Sequence, residues 1–347
     1  MEGKGKVLDI RFNEDQTCFV CGMENGIRVY TIDPLTRKTL IGFDEVGAVK
    51  HVDMLRRTNL LAFVGGGQAP KFAEKQVHIW DDVRKKIILQ FNFELPVKSV
   101  RLYRDGTTGC RLAATFQEQI CVYRLSKEPQ LLKTVQTASN RLGLCEICSS
   151  SSRDLIAFPA PRPGVLAVLD SLTLGRARHA RQEIWAHKSQ LACISFNVKG
   201  TMVATASIKG TLIRVFDTTT GDKKVEFRRG SDTARFHCIS FSPSDDYLCA
   251  SSDKGTVHIF ALRDQTLNRK SRLPNLGLLA QYSASQWGLA QFSVPIDCMC
   301  KCMFTHSNAV IALCDNGTFY RYVFKESGTT TRDGFDVFLD VGFDDDL

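Results

Sequence analysis

Arg228 and Arg229 stand side by side in "VEFRRGSDTARFHCISF", and Gly230 follows them at once. A guanidinium presents five N–H donors in a planar fork and can hold two oxygens of one phosphate or carboxylate. The flanking sequence supplies what else a phosphate needs. Upstream, "TASIKGTLIR" contributes Thr205, Ser207, Gly210, Thr211 and Arg214, and "AHKS" contributes His187. Downstream, "SSDKGTVHIF" contributes Ser252, Lys254, Gly255, Thr256 and His258. Each set joins small hydroxyls and a glycine turn to a cation or an imidazole. The same residues also make ordinary turns in repeated β-blades, and His187 stands where such repeats keep a structural histidine. The hydroxyls alone therefore read as structural. The doubled arginine is the unexpected feature.

On an extended strand, successive side chains face opposite ways. Val225, Phe227 and Arg229 thus share one face, and Glu226 and Arg228 share the other. If this strand is the outer one of its sheet, the two guanidiniums turn toward different neighbours and serve two anion sites back to back. Gly230 is expected to let the backbone turn or approach without a Cβ in the way.

The elements that position these residues repeat along the chain. The unit is an alternating strand, a polar turn, a small-residue strand, a glycine turn and a strand ending near an aromatic. Its clearest copies are "LACISFNVKGTMVATASIKGTLIRVFDTTTG" (191–221) and "FHCISFSPSDDYLCASSDKGTVHIFAL" (236–262). Weaker copies begin near 7, 49, 97, 143 and 297. The third-strand positions Val29, Ile79, Val122, Val168, Val215, Ile259 and Tyr322 are 43 to 63 residues apart. WD-type propeller blades repeat roughly every 40–45 residues with four strands each. The expected fold is all-β, a single seven-bladed propeller over 1–347. Too few residues precede the first strand to complete blade 7. "FDVFLDV" (335–341) should supply that blade's fourth strand, so closure needs no strand swap, and 342–347 is an acidic tail.

One connection is far longer than a hairpin requires. From Arg263 to Trp287, between the third and fourth strands of blade 6, it mixes Arg269, Lys270 and Arg272 with Leu273, Leu276, Leu278, Leu279 and Tyr282. Cations beside leucines suit a segment that meets an anionic bilayer. They equally suit a loop folded back on the propeller with its leucines in a satellite cluster. The sequence supports both placements.

Composition narrows the rest. The 347 residues are 44% hydrophobic and 24% charged, with ample apolar material for a core. Nothing approaches the run of about eighteen apolar residues that a membrane helix needs. The opening "MEGKGKVLDIRF" has no signal-peptide h-region and the terminal "FDDDL" no prenylation cysteine, so a cytoplasmic protein is expected. The thirteen cysteines fall mostly in strand-like runs, where they act as small core hydrophobes. In Cys18/Cys21 and Cys145/Cys148 the two thiols lie three apart on a strand and face opposite sides, a poor arrangement for a metal. Net charge is +8, and Lys199–Arg272 holds thirteen Lys/Arg against eight Asp/Glu, or +5 of it. That patch implies an anionic partner. Stacking aromatics are not interleaved with its arginines, which argues against nucleic acid. G-x-S-x-G, H-E-x-x-H and paired carboxylates in a glycine-rich turn are missing, which argues against catalysis. No cofactor or metal is expected.

"FRRG" (227–230) matches the signature of the PROPPINs, β-propellers that bind polyphosphoinositides. The resemblance extends through "RFNEDQTCFVCGMENGIRVY", "HVDMLRRTNLLAFVGGGQAPKF", "VHIWDD", "KGTLIRVFDT" and "SSDKGTVHIFAL". The chain most resembles the WD-repeat phosphoinositide-interacting branch that works in metazoan autophagy. This implies a first lipid site with His187, Thr205, Ser207, Gly210, Thr211, Arg214 and Arg228. It implies a second with Arg229, Gly230, Ser252, Thr256 and His258. The implied ligands are phosphatidylinositol 3-phosphate and phosphatidylinositol 3,5-bisphosphate. The blade 6 loop, with Arg269, Lys270, Arg272, Leu278 and Leu279, corresponds to a membrane loop but departs from the family in lacking Phe or Trp at its tip. The resemblance also implies a monomer recruited peripherally to preautophagosomal, phagophore and endosomal membranes. There it would bind an autophagic lipid-transfer protein through blades 1–3, with Asn13 and Asp15 at matching positions and "GGGQAPKF" in the same half. The competing reading is a WD-repeat scaffold with no lipid role, in which Arg228 and Arg229 only form salt bridges.

Overall fold

Alternation in each repeat becomes an antiparallel sheet whose strands pair in chain order. The computed structural model describes residues 5–104, 109–149, 154–170, 181–270, 286–306 and 308–342. Seven sheets stand in a ring, and an apolar layer fills each gap between neighbours. Val20, Val52 and Phe63 lie between blades 1 and 2. Val203 and Phe216 lie between blades 4 and 5. Ala204, Ala206, Val215 and Phe227 lie between blades 5 and 6. The strand Met202–Ser207 shows how one sequence serves two layers, with Val203 facing blade 4 and Ala204 and Ala206 facing blade 6. Cys18 and Cys21 divide in the same way between the layers on either side of blade 1.

Polar ties fix the blades to one another. The Asp9 carboxylate accepts from the Val52 amide at 3.2 Å, and Asp53 accepts from Leu102 at 2.7 Å. Arg101 donates to Glu146 at 2.9 Å, and the Ser251 hydroxyl donates to the Cys300 carbonyl at 2.6 Å. Buried donors and acceptors left without such partners would cost roughly 1–3 kcal/mol each.

Blade 1 keeps Val7–Phe12 as its own first strand, and blade 7 is completed by its own C-terminal segment, so the ring closes without strand exchange. That last strand is Thr330–Val337, beginning earlier than the 335–341 expected from alternation. The ladder stops at Val337 because Phe338–Asp340 turn as a 3-10 helix. The turn drives the fully buried Phe338 ring against Phe19 and Tyr30 of blade 1, at 5.3 and 5.5 Å.

The blade 6 connection differs more. Its fourth strand is Ala290–Ser293, and Gln286–Trp287 lie parallel to Phe227–Arg228 as a fifth strand on blade 5. Asn268 pins the outgoing arm by bonding both the amide and the carbonyl of Ala261, at 2.8 and 2.7 Å. Lys270 then bridges to Gln286. Arg272, Leu273, Leu276, Leu278, Leu279 and Tyr282, and the acidic 343–347, lie outside the described residues. No helix among the described residues is long and apolar enough to cross a membrane.

Antiparallel order gives every blade two distinct ends. One carries the turns between second and third strands together with the links to the next blade; the other carries the remaining hairpins. Ser207–Thr211, Ser252–Thr256 and the links after Trp185, Arg228 and Ser293 all belong to the first, the linker end.

Candidate functional site

Blade 5's fourth strand, Lys223–Arg228, expected to be the outer one but flanked by Gln286–Trp287, pairs on its inner side with Leu212–Asp217 so that Arg228 lies opposite Leu212 and Glu226 opposite Arg214. Thr205 lies opposite Arg214 on the next strand in. These residues share the face toward blade 4. His187, in the link from blade 4, reaches Thr205 with Nε2 at 3.0 Å from Oγ1. Arg214 is already engaged: Nε donates to Glu226 Oε2 at 2.7 Å and Nη1 to the Ala186 carbonyl at 2.7 Å. Burial alone would raise the Glu226 carboxyl, but Arg214 and Lys223 outweigh it and hold it below its ordinary value. Burial, helped by Arg214, pushes His187 down to about 4, so its ring is neutral at pH 7. Thr205, Ser207, Thr211 and Arg228 are buried with it.

Arg229 takes the other face. Its backbone amide donates to the Thr211 carbonyl at 2.9 Å, continuing the ladder for one residue. Its Nε donates to the Gly210 carbonyl at 2.7 Å, and Nη2 donates to the Asp232 carbonyl. Carbonyls orient a guanidinium without cancelling its charge. The remaining edge borders a cavity of about 710 Å³ lined by Arg229, His258, Arg269, Lys270, Trp287, Gly288 and Gln291. Burial and then Arg229 push His258 down to about 4. The buried Ser252 hydroxyl and Trp287 indole N–H have no hydrogen-bond partner among the described residues. Thr256 pairs across the hairpin with Ser252, and its hydroxyl donates to the Lys254 carbonyl at 3.4 Å.

Gly210 is required where it stands. Its φ is +71°, and a Cβ there would come within 1.7 Å of the Ala234 carbonyl. Gly230 is not. Its φ lies outside the left-handed region and a Cβ would meet nothing within 4 Å, so neither a turn nor a close approach explains the glycine after the arginines.

The sequence reading put Arg269 and Lys270 on the long loop; they line the cavity beside Arg229. It missed Glu226, Trp287 and Gln291. Glu226 was detectable, since pairing 212–217 with 223–228 sets it across from Arg214. Trp287 was not, because nothing in a strand of two residues announces its partner. Asn13 is 3% exposed and consumed by its own turn, accepting from the Thr17 and Cys18 amides at 3.0 and 2.9 Å. Asp15 is exposed in that turn. Residues 65–72 belong to the opposite end of their blade from the turn that holds Asn13, at the linker end.

The family model for PROPPIN matches residues 7–284. The chain belongs to the PROPPIN family. Phosphoinositide binding is general to PROPPINs, which are autophagy-related binding propellers. Among curated relatives, SVP1-like protein 2 of Pichia angusta is 31% identical over 344 residues, covering 95% of this PROPPIN and 94% of the relative. Autophagy-related protein 18e of Arabidopsis thaliana is 30% identical over 327 residues, covering 93% and 84%. Kluyveromyces lactis Hsv2 shares the fold at a TM-score of 0.78 and 24% identity, covering 96% of this chain and 99% of that one. KlAtg21, solved in complex with the coiled coil of AgAtg16, shares it at 0.74 and 22%, with the same coverage.

Proposed function

We propose that this PROPPIN binds phosphatidylinositol 3-phosphate and phosphatidylinositol 3,5-bisphosphate at two sites on the edge of blades 5 and 6. One observation carries the reading: consecutive buried arginines on opposite faces of one strand, each beside hydroxyls, a glycine turn and a neutral histidine. The first site uses His187, Thr205, Ser207, Gly210, Thr211, Arg214 and Arg228. The second uses Arg229, Ser252, Thr256 and His258, with Arg269 and Lys270 added from the cavity wall. Two weak headgroup sites on one rigid edge gain affinity through effective concentration once the first is filled. The protein then sits peripherally on phagophore and endosomal membranes as a monomer and presents blades 1–3 to an autophagic lipid-transfer protein. There Asp15 offers an exposed carboxylate while Asn13 holds the turn.

Liposome co-sedimentation with phosphatidylinositol 3-phosphate tests this. The wild type should pellet, and Arg228→Thr/Arg229→Thr, folded by circular dichroism, should stay in solution. Equal behaviour of the two would make the arginines structural and leave a scaffold without a lipid role.

A further inference from the structure

Three of the most exposed apolar side chains border the two sites. Trp185, Ile208 and Ile296 are 68%, 54% and 66% exposed, and all three lie at the linker end of blades 4 to 6. A single exposed apolar residue needs no explanation. These three are joined to the site residues by the chain itself. Trp185 precedes Ala186, whose carbonyl holds Arg214, and His187, which holds Thr205. Ile208 lies in the turn between Ser207 and Gly210. Ile296 lies over the turn that carries Thr256, its Cγ1 2.6 Å from where a Cβ on Gly255 would stand.

We propose that Trp185, Ile208 and Ile296 form an apolar rim that enters the interfacial layer of an anionic bilayer while headgroups occupy the two sites. This rests on the phosphoinositide reading of blades 5 and 6. Charge identifies the occupant. The Arg162 guanidinium lies over the Trp185 ring at 5.6 Å. Lys188, Lys209 and Lys254 are exposed and form no ion pair among the described residues. Asp232, Asp253 and Asp297 share this end, and Asp253 is occupied by the Arg235 amide at 3.0 Å. Apolar tips interleaved with unpaired ammonium groups match a surface of phosphates over acyl chains. An indole at the edge of that surface keeps its N–H wet while its ring leaves water. A rim on the rigid propeller adds to membrane residence without an ordering cost.

The experiment uses the full chain and vesicles of phosphatidylcholine and phosphatidylserine doped with phosphatidylinositol 3-phosphate. Trp185→Ser/Ile208→Ser/Ile296→Ser replaces exposed side chains only and should fold normally. It should bind vesicles about tenfold more weakly, with unchanged affinity for soluble inositol 1,3-bisphosphate. In a Trp287→Phe background, which removes the indole of the second headgroup cavity, brominated acyl chains should quench tryptophan fluorescence, and adding Trp185→Phe should remove that quenching. Undiminished vesicle binding by the triple variant, or quenching that persists in Trp185→Phe/Trp287→Phe, overturns the rim. Weaker binding of the soluble headgroup also overturns it, since the side chains would then belong to the sites. A wild type that binds neither vesicles nor soluble headgroup removes the phosphoinositide reading itself.

Discussion

The two faces of blade 5 hold arginines that are neighbours in sequence, yet their electrostatics differ. Toward blade 4, Arg214 is matched by Glu226 at 2.7 Å, and Lys223 shares the same carboxylate at 3.5 Å. Toward blade 6, Arg229 is held by carbonyls, with Asp253 and Asp232 close enough to favour its charge, and its cavity gathers Arg269 and Lys270 with no acid among the described residues that line it. The first site carries a counter-ion in direct contact with its arginine; the second has Asp253 and Asp232 nearby but no ion pair to Arg229 among the described residues, which leaves more of its charge for a ligand. An incoming phosphate must compete with Glu226 at the first. At the second it meets cations already oriented and partly desolvated, where attraction is stronger than in water. A doubled arginine therefore need not mean two equal sites.

The largest effect should come from the element both faces share. Gly210 sits between them, with its carbonyl on Arg229 and its α-carbon against Ala234. Gly210→Ala combines a positive φ with a backbone clash and should cost about 3 kcal/mol. Thermal unfolding of the variant would check it, and an unchanged midpoint would show that the Ser207–Thr211 turn shifts freely.

The next effect separates the sites. Hydrogen bonds to charged groups are worth roughly 1.5–3 kcal/mol, so Arg229→Gln should weaken soluble headgroup binding by about tenfold or more. Arg228→Gln should cost only a few-fold, because Glu226 already offsets the positive charge on its face. Titration calorimetry with each single variant decides the order. A greater loss from Arg228→Gln would reverse the comparison.

A smaller gain should follow from removing the counter-ion. Partly exposed ion pairs contribute about 0–1 kcal/mol, so Glu226→Gln should tighten the first site a few-fold and leave the second unchanged. Salt dependence should steepen, since one more cation then faces the ligand. If Glu226→Gln weakens binding instead, the carboxylate is needed to orient Arg214.

Much of this architecture was legible because strands and layers obey a period of two. Val203 and Ala204 are adjacent, and their opposite placement follows from alternation alone, as does that of Arg228 and Arg229. What stayed hidden depends on contacts between segments distant in sequence. Gln286–Trp287 join blade 5 some sixty residues after Phe227–Arg228, and a two-residue strand has no pattern to read. Phe338 belongs to an alternating run, yet it leaves the ladder because blade 1 offers its ring a deeper pocket than solvent does. Gly230 carried an explanation in the sequence that its open surroundings withdraw.

The smallest effect is on pH dependence, and it can assign a ligand to one face. His187 and His258 both titrate at about 4 in the folded chain against an ordinary 6.5, chiefly through burial and then through Arg214 and Arg229 respectively. Between those values the unfolded chain binds more protons. Their contribution to stability is therefore complete above about pH 6.5 and is lost as pH falls toward 4. Thermal midpoints should be level from pH 8 to 7 and decline below 6.5, less steeply in His187→Gln and in His258→Gln. An anion beside an imidazole favours its charged form and raises its pKa toward the ordinary value. Soluble headgroup should thus flatten the acid decline, and more strongly through His258, where no carboxylate among the described residues lines the cavity. Flattening that survives His187→Gln but disappears in His258→Gln would place the headgroup on the blade 6 face. The opposite pattern would place it against blade 4, despite Glu226.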